Sequence, residues 1–309
     1  MNAEGVSSLQ DLVLYCKSYR RDVLRVRRLL DSIGRHNRDA LPVYVSMPRE
    51  DRALFEAQLG GGRCTLVDDE DIVAANPRAR LDQAREVPGR LSQAIVKSEF
   101  WRLGLCTNYV CIDADSVFVA DFQRRDFVAA DGEAYTVIHQ NKDLLQLASN
   151  RGVGKVAAEF KQEVARFAPI FGRDGPAYSF APSPFLWSAK VWDSLDRLYL
   201  QPRNMTLWDA VTEKLPESLW YGEALLAYQA IPMRPIEPLF RVYHYNWQFY
   251  AMQRLGETEA KVADNYLGVI YQSNWQHEMD YGQALKPLPS RVLRQVKRGL
   301  RYLQNRWLM

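Results

Sequence analysis

The chain has 309 residues, 47% hydrophobic and 25% charged, with a net charge of +3. That is the profile of a globular protein with ample core, and it excludes disordered and collagen-like chains. Seven bases and no acid fall from Lys286 onward, so the body before them carries −4, which argues against a general nucleic-acid binder.

The four cysteines (Cys16, Cys64, Cys106, Cys111) include no CxxC pair, so neither a zinc cluster nor a disulfide framework is expected and a reducing cytoplasm fits. The N-terminus lacks a basic-then-apolar leader. No run reaches the roughly 18 apolar residues of a membrane span.

Leu12 to Cys16 reads as a first buried strand, running into the polar turn Lys17-Ser18-Tyr19. Val23, Val26, Leu30 and Ile33 recur at helical spacing. Pro42 to Ser46 is a second strand, and Pro48 opens a helix that stops at Gly60-Gly61-Gly62. The triple glycine lacks the trailing Gly-Lys-Ser/Thr of a phosphate loop. Cys64 to Val67 is a third strand, followed by the acids Asp68 to Asp71. Alternating strands and helices of this kind imply a mostly parallel sheet.

Pro77 to Gly89 reads as loop, and Leu91 to Trp101 as a helix on which Gln93 and Lys97 share a face. The helix leads into Asn108 to Val119, an apolar run rich in β-branched and aromatic residues and interrupted by Asp113 and Asp115. Unpaired charge is costly inside a sheet, so the two acids mark the strand's C-terminal end. That edge is where ligands bind in open α/β sheets. If the backbone stays extended, both carboxylates point to one side. Two oxygen ligands there suit a hard cation, Mg²⁺ or Mn²⁺, with a diphosphate supplying further oxygens.

A strand ending in Asp-x-Asp behind strand–helix repeats resembles the GT-A fold of nucleotide-sugar glycosyltransferases. The resemblance implies that Asp113 and Asp115 hold the metal on the donor's diphosphate, with Asp115 the principal ligand. A group of poorly characterised bacterial cell-envelope glycosyltransferases carries a Gly-aromatic-x-x-Gln-x-x-x-Lys stretch before that strand. Here it stands as Gly89 to Lys97, with Arg90 in the aromatic position. Gln93 and Lys97 are therefore donor-binding candidates, as are Lys17 and Ser18 at the first strand's end.

Downstream, Tyr135 to Ile138 reads as a strand and His139 as a structural or surface histidine. Val153 to Phe167 is an amphipathic helix. Gly172 to Pro184 is a glycine- and proline-rich loop, read as part of an acceptor wall. Phe185 to Ser188 is a strand, with Ser188 able to cap the next helix.

Pro216 to Tyr228 resembles the group's Ser-Glu-aromatic-x-Leu-Tyr-Gly segment, in which a glutamate opens a helix at the acceptor side. Glu217 takes that position, and Pro216 and Trp220 depart from the pattern. A carboxylate in a helix's first turn is also simply favourable electrostatics. Phe240 to Tyr250 reads as a strand and then a helix, and many GT-A enzymes complete their metal site with a late histidine. His244 is the candidate. Leu267 to Trp275 is a last strand-like segment.

Leu293, Val296, Leu300, Leu303 and Trp307 form an apolar stripe flanked by bases. Such a basic amphipathic helix suits a membrane surface, and it equally suits packing on the domain or on a second subunit.

The expected architecture is therefore α/β: a GT-A, Rossmann-like, mostly parallel sheet flanked by helices, with a C-terminal amphipathic helix. One catalytic domain spans 1–285, with a nucleotide-binding half at 11–120 and an acceptor half at 121–285. The basic helix occupies 286–309. The expected activity is metal-dependent transfer of a sugar from a nucleotide-sugar donor, UDP-linked before GDP-linked, to a surface glycan or glycolipid, with Glu217 assisting the acceptor. The expected location is cytoplasmic, with the inner membrane face as a peripheral site. Two other readings stand. One is a haloacid-dehalogenase-type phosphatase with Asp113 as nucleophile, although three strands precede the motif. The other is a sugar-binding protein on a GT-A scaffold without catalysis.

Overall fold

A computed structural model describes residues 9–79, 89–150, 152, 154–212, 214–243, 246–272 and 287–307. The first apolar run forms β1 (Gln10–Lys17), whose inner residues Leu12 to Cys16 are buried. It pairs in parallel with β2 (Val43–Met47) on one side and β4 (Cys106–Cys111) on the other. β3 (Thr65–Asp68) extends the sheet beyond β2, again in parallel. β7 (Phe185–Ser188) closes the far side, antiparallel to β4, giving the order β3-β2-β1-β4-β7. The mostly parallel α/β sheet is thus the one expected, and its C-terminal edge gathers the ends of β1, β2, β3 and β4.

Helices flank the sheet. α1 (Val23–His36) buries Val23, Val26, Leu29, Leu30 and Ile33 at the spacing read from the sequence. α2 (Arg52–Leu59) ends at Gly60, whose φ of 74° a side chain would disfavour. The acids after β3 open α3 (Asp69–Ala74), placing negative charge at a helix N-terminus. α4 (Gly89–Glu99) brings its C-terminal half, Ile95 to Glu99, into the interior.

The two acids do mark the end of a strand, as expected, but the backbone does not stay extended through them. β4 ends at Cys111, and Asp113 to Ser116 form a turn in which the Ser116 N–H donates to the Asp113 carbonyl at 3.0 Å. The chain then re-enters as β5 (Ser116–Phe118) of a second sheet. The turn leaves both carboxylates half-buried at the edge, where charge costs less than inside a sheet.

α5 (Lys142–Asn150) and α6 (Gly154–Phe167) follow the short β6 (Thr136–Val137), which pairs with β8 (Pro235–Ile236). α7 (Ala189–Leu195) follows β7; Ser188 sits at its N-cap position, but its side chain makes no capping bond. α8 (Glu217–Tyr228) is buried from Ser218 to Leu225. β9 (Phe240–Val242) and β10 (Gly268–Ile270) complete the second sheet in the order β5-β10-β9. α9 (Asn246–Arg254) follows β9, and α10 (Leu288–Trp307) is the basic C-terminal helix. His244 lies outside the described residues, as do Ser273 to Trp275 of the last strand-like segment.

Candidate active site

The site begins with the packing that fixes Lys97. Phe100, just past α4, stacks on Tyr15 of β1 with ring centroids 3.9 Å apart, and meets Tyr109 of β4 edge-on at 5.3 Å. The Tyr109 hydroxyl donates to the Lys97 carbonyl at 3.1 Å. These buried rings clamp the end of α4 over the sheet. Lys97, itself only 4% exposed, extends to the sheet's C-terminal edge and donates to the Asp113 carboxylate.

Asp113 follows β4 by two residues and is held from both ends. Its backbone N–H donates to Ser183 Oγ at 3.1 Å, and its carbonyl closes the turn. Ser183 belongs to the glycine- and proline-rich loop, so that loop is bonded directly to the acidic turn. Asp115 lies in the same turn and is half-buried. Its carbonyl accepts from the Tyr271 N–H at 2.9 Å, which ties the turn to the end of β10.

Glu217 opens α8 across a cavity of about 180 Å³ that Gln93, Lys97, Arg90 and Thr212 also line. Burial pushes its carboxyl above the ordinary glutamate range. The positive charge of Lys97 opposes that shift without cancelling it. Burial alone would lower the Lys97 pKa, but Asp113, Cys111 and Glu217 together hold it above the ordinary lysine value. Lys97 is therefore a buried cation paired with Asp113, and it shares a cavity with Glu217.

The structure thus brings Gln93, Lys97 and Glu217 around one cavity and joins Asp113 to Lys97. It sets Lys17 and Ser18 one strand away. Lys17 Nζ lies 2.7 Å from Asp69 Oδ2 and donates to the Ser18 carbonyl at 2.6 Å. Asp69, Tyr109 and Ser183 were not singled out in the sequence. Asp69 had a signal, as the first helical acid after a parallel strand. Ser183 and Tyr109 had none, because their bonds join residues 70 and 12 positions apart.

A second anchor fixes the loop Gly172 to Pro184. Arg173 reaches Glu223 of α8 with two bonds, of 2.5 and 2.6 Å, and Glu223 is fully buried. One turn of the same helix carries Gly222, where an added Cβ would lie 2.2 Å from the Phe180 ring of the loop. His139 is bonded into this wall. Its backbone pairs with Ser179, its Nε2–H donates to the Ala181 carbonyl, and its Nδ1 accepts the Asn141 N–H at 3.3 Å. That is the structural role read from the sequence. A cleft of about 740 Å³ opens beyond, lined by His139, Asn141, Pro182, Glu237, Arg241 and Gln248 among others.

No protein-family model matches this chain, and no curated protein sequence does. Solved structures do. An apo structure of the WbbM bifunctional glycosyltransferase matches 96% of this chain at a TM-score of 0.51 and 13% identity, and this chain spans about half of that one (53%). The apo form of mouse xyloside xylosyltransferase 1 matches 85% of this chain and 98% of that one, at a TM-score of 0.46 and 9% identity. At such identities the likeness is one of fold: this chain has a GT-A-like glycosyltransferase fold.

Proposed function

We propose that this protein is a metal-dependent glycosyltransferase moving a sugar from a nucleotide-sugar donor, UDP-linked before GDP-linked, to a bacterial surface glycan or lipid-linked acceptor. The observation that carries the reading is the meeting of Lys97 with Asp113, and of Lys97, Gln93 and Glu217 around one cavity, at the C-terminal edge of the sheet. Ligands of open α/β folds bind at that edge.

The donor chemistry of the acidic turn fits a divalent cation. Asp113 and Asp115 offer carboxylate oxygens only, and Mg²⁺-like ions are commonly held by one or two carboxylates together with substrate phosphates. Among the described residues no group of three or more His, Cys, Asp or Glu that could hold a metal ion is present, so an ion on the two carboxylates would need further oxygens from a diphosphate or water, or a ligand outside the described residues. Asp113 and Asp115 would hold Mn²⁺ or Mg²⁺, with His244 a further candidate ligand. When bound, that ion would offset charge developing on the nucleoside-diphosphate leaving group.

The chain's own residues divide the rest. Lys97 holds Asp113 in place and adds a fixed positive charge to the diphosphate side. Gln93, a turn before it, offers an amide to the ribose or base. Lys17, tied to Asp69 and to the Ser18 carbonyl, fixes the adjoining end of β1 against the nucleotide. Glu217 takes the acceptor hydroxyl's proton as that oxygen bonds the anomeric carbon and the bond to the diphosphate breaks. Its raised pKa suits it to a proton-accepting role closer to neutral pH than an ordinary glutamate. The cleft beyond Pro182 receives the acceptor. Its amide, carboxylate and guanidinium side chains suit sugar hydroxyls, and the Ser183–Asp113 bond sets it beside the reacting turn.

A thermal-shift panel tests the reading. A ligand that binds only the native state raises the melting temperature by mass action. UDP, GDP and their sugars, each with Mn²⁺, Mg²⁺ or a chelator, should give a metal-dependent rise with one nucleotide. Asp115→Asn should lose that rise and cut turnover by about 10²–10³-fold while its unliganded melt stays unchanged. A fully active Asp115→Asn, or no shift with any nucleotide, overturns it.

A further inference from the structure

The C-terminal helix α10 packs on α9, yet its apolar side stays uncovered. Leu288, Val292, Leu293, Val296, Leu300 and Leu303 are each between 51% and 69% exposed. At 3.6 residues per turn these six positions fall within one arc of about 140°. The same helix carries Arg291, Arg294, Lys297, Arg298, Arg301 and Arg306, and neither Asp nor Glu. Of these, Arg291 and Lys297 fall outside the apolar arc on the helical wheel. Arg291 is half-buried, whereas Lys297 is exposed.

A contiguous exposed apolar face of this kind marks an interaction surface. Its charge selects the occupant. A second copy docked through it would set two all-basic helices side by side with no acid between them. The acidic body of the chain would complement the bases, but it leaves the apolar arc open. A surface of anionic lipid headgroups satisfies both features at once. Apolar side chains enter the acyl boundary, and lysines and arginines meet phosphate. No described helix is long and apolar enough to cross a membrane, so α10 would lie along the surface. Its 20 residues make a rod about 30 Å long.

We infer that α10 is an interfacial anchor that seats this protein on an anionic lipid surface. The inference does not rest on the glycosyltransferase reading, and its test uses neither donor nor acceptor.

The test is vesicle flotation of the full chain. Phosphatidylcholine vesicles are compared with vesicles containing a third of phosphatidylglycerol. The full chain should rise with the anionic vesicles at low salt, stay behind with the neutral ones, and be released several-fold by about 0.5 M salt. Val296→Ser with Leu300→Ser keeps every charge and should lower the bound fraction about tenfold. Lys297→Gln with Arg301→Gln keeps the apolar arc and should weaken only the anionic preference. Unchanged melting temperatures confirm that the body of each variant is folded. Failure of the full chain to float with anionic vesicles overturns the inference, as does equal flotation of the Ser variant. A dimer in sedimentation that the Ser variant dissolves, with no vesicle binding, assigns the face to a second copy instead.

Discussion

Two glutamates six residues apart on α8 show how partners assign a carboxylate its task. Glu223 is fully buried and receives both arms of Arg173, at 2.5 and 2.6 Å. Glu217 begins the same helix and faces a cavity, with Lys97 nearby but engaged by Asp113. The first is a closed pair that holds a loop. The second is an open group whose pKa is raised by burial and only partly restrained by a cation. On the proposed reading the N-terminal end of the helix serves proton chemistry, while its middle holds the loop in shape. Glu217 is half-buried and Glu223 fully buried, and what separates their tasks is the partner each one has.

The largest effect should come from breaking the open end. Glu217→Gln keeps the shape and removes the proton acceptor, and turnover should fall by about 10²–10⁴-fold. Stability should move the other way. Burial raises the folded-state pKa of Glu217 above its unfolded value, so rising pH ionises the unfolded chain first. Below the unfolded pKa both states hold the proton and the group contributes nothing; above it, folding is penalised. At neutral pH Glu217→Gln should therefore raise the melting temperature, on the order of 2 °C. The acid limb of the wild-type rate profile should lie above the ordinary glutamate range. In Lys97→Met it should move higher still, because Lys97 pulls that pKa down. A Gln variant that loses stability together with activity would place Glu217 among the structural carboxylates.

The closed end should respond in the opposite sense. Arg173→Met leaves Glu223 fully buried without its two bonds, and breaking a buried pair from one side costs about 3–5 kcal/mol. Chemical denaturation should show the loss at neutral pH. Adding Glu223→Gln, which removes the orphaned charge, should recover part of it. A loss that the second substitution leaves unchanged would mean that packing of the Arg173 stem, and not the charge pair, holds the loop.

Much of the sheet was legible because its strands read as short apolar runs, and β1, β2, β3 and β7 fall within a residue or two of the runs in the sequence. The end of β4 at the two acids was legible as well, but the second strand beyond them was not. β4 and β5 are both apolar, and composition does not show that the chain changes sheets at Asp113. Lys97 and Gln93 could be paired by helical spacing, which is a local rule. The bond from Lys97 to Asp113 could not be, and neither could Arg173 with Glu223, 50 residues apart. Glu217 was found through resemblance; its raised pKa depends on residues from α4 and the turn after β4, which only folding brings together. The Gly172 to Pro184 loop was recognisable as a loop, but not as one clamped in place.

Gly222 offers the finest cut between the two ends of α8. It lies one residue from Glu223 and five from Glu217, and its missing side chain is the space that Phe180 fills. Gly222→Ala gains helix propensity, worth about 1 kcal/mol in isolation. It also drives a methyl group to 2.2 Å from the ring, a distance that real contacts do not tolerate. Phe180 must move, and overpacking of this kind costs about 1–3 kcal/mol, so a net loss is expected. The displaced ring would carry with it the loop that bears Pro182 and Ser183, on the wall of the acceptor cleft. The melting temperature should fall by a few degrees, about 2–4 °C per kcal/mol. The acceptor KM should rise several-fold while the nucleotide-induced thermal shift keeps its size. A nucleotide shift that collapses along with acceptor affinity would mean that the Ser183 bond to Asp113 couples the two ends, and that α8 carries one site instead of two separable tasks.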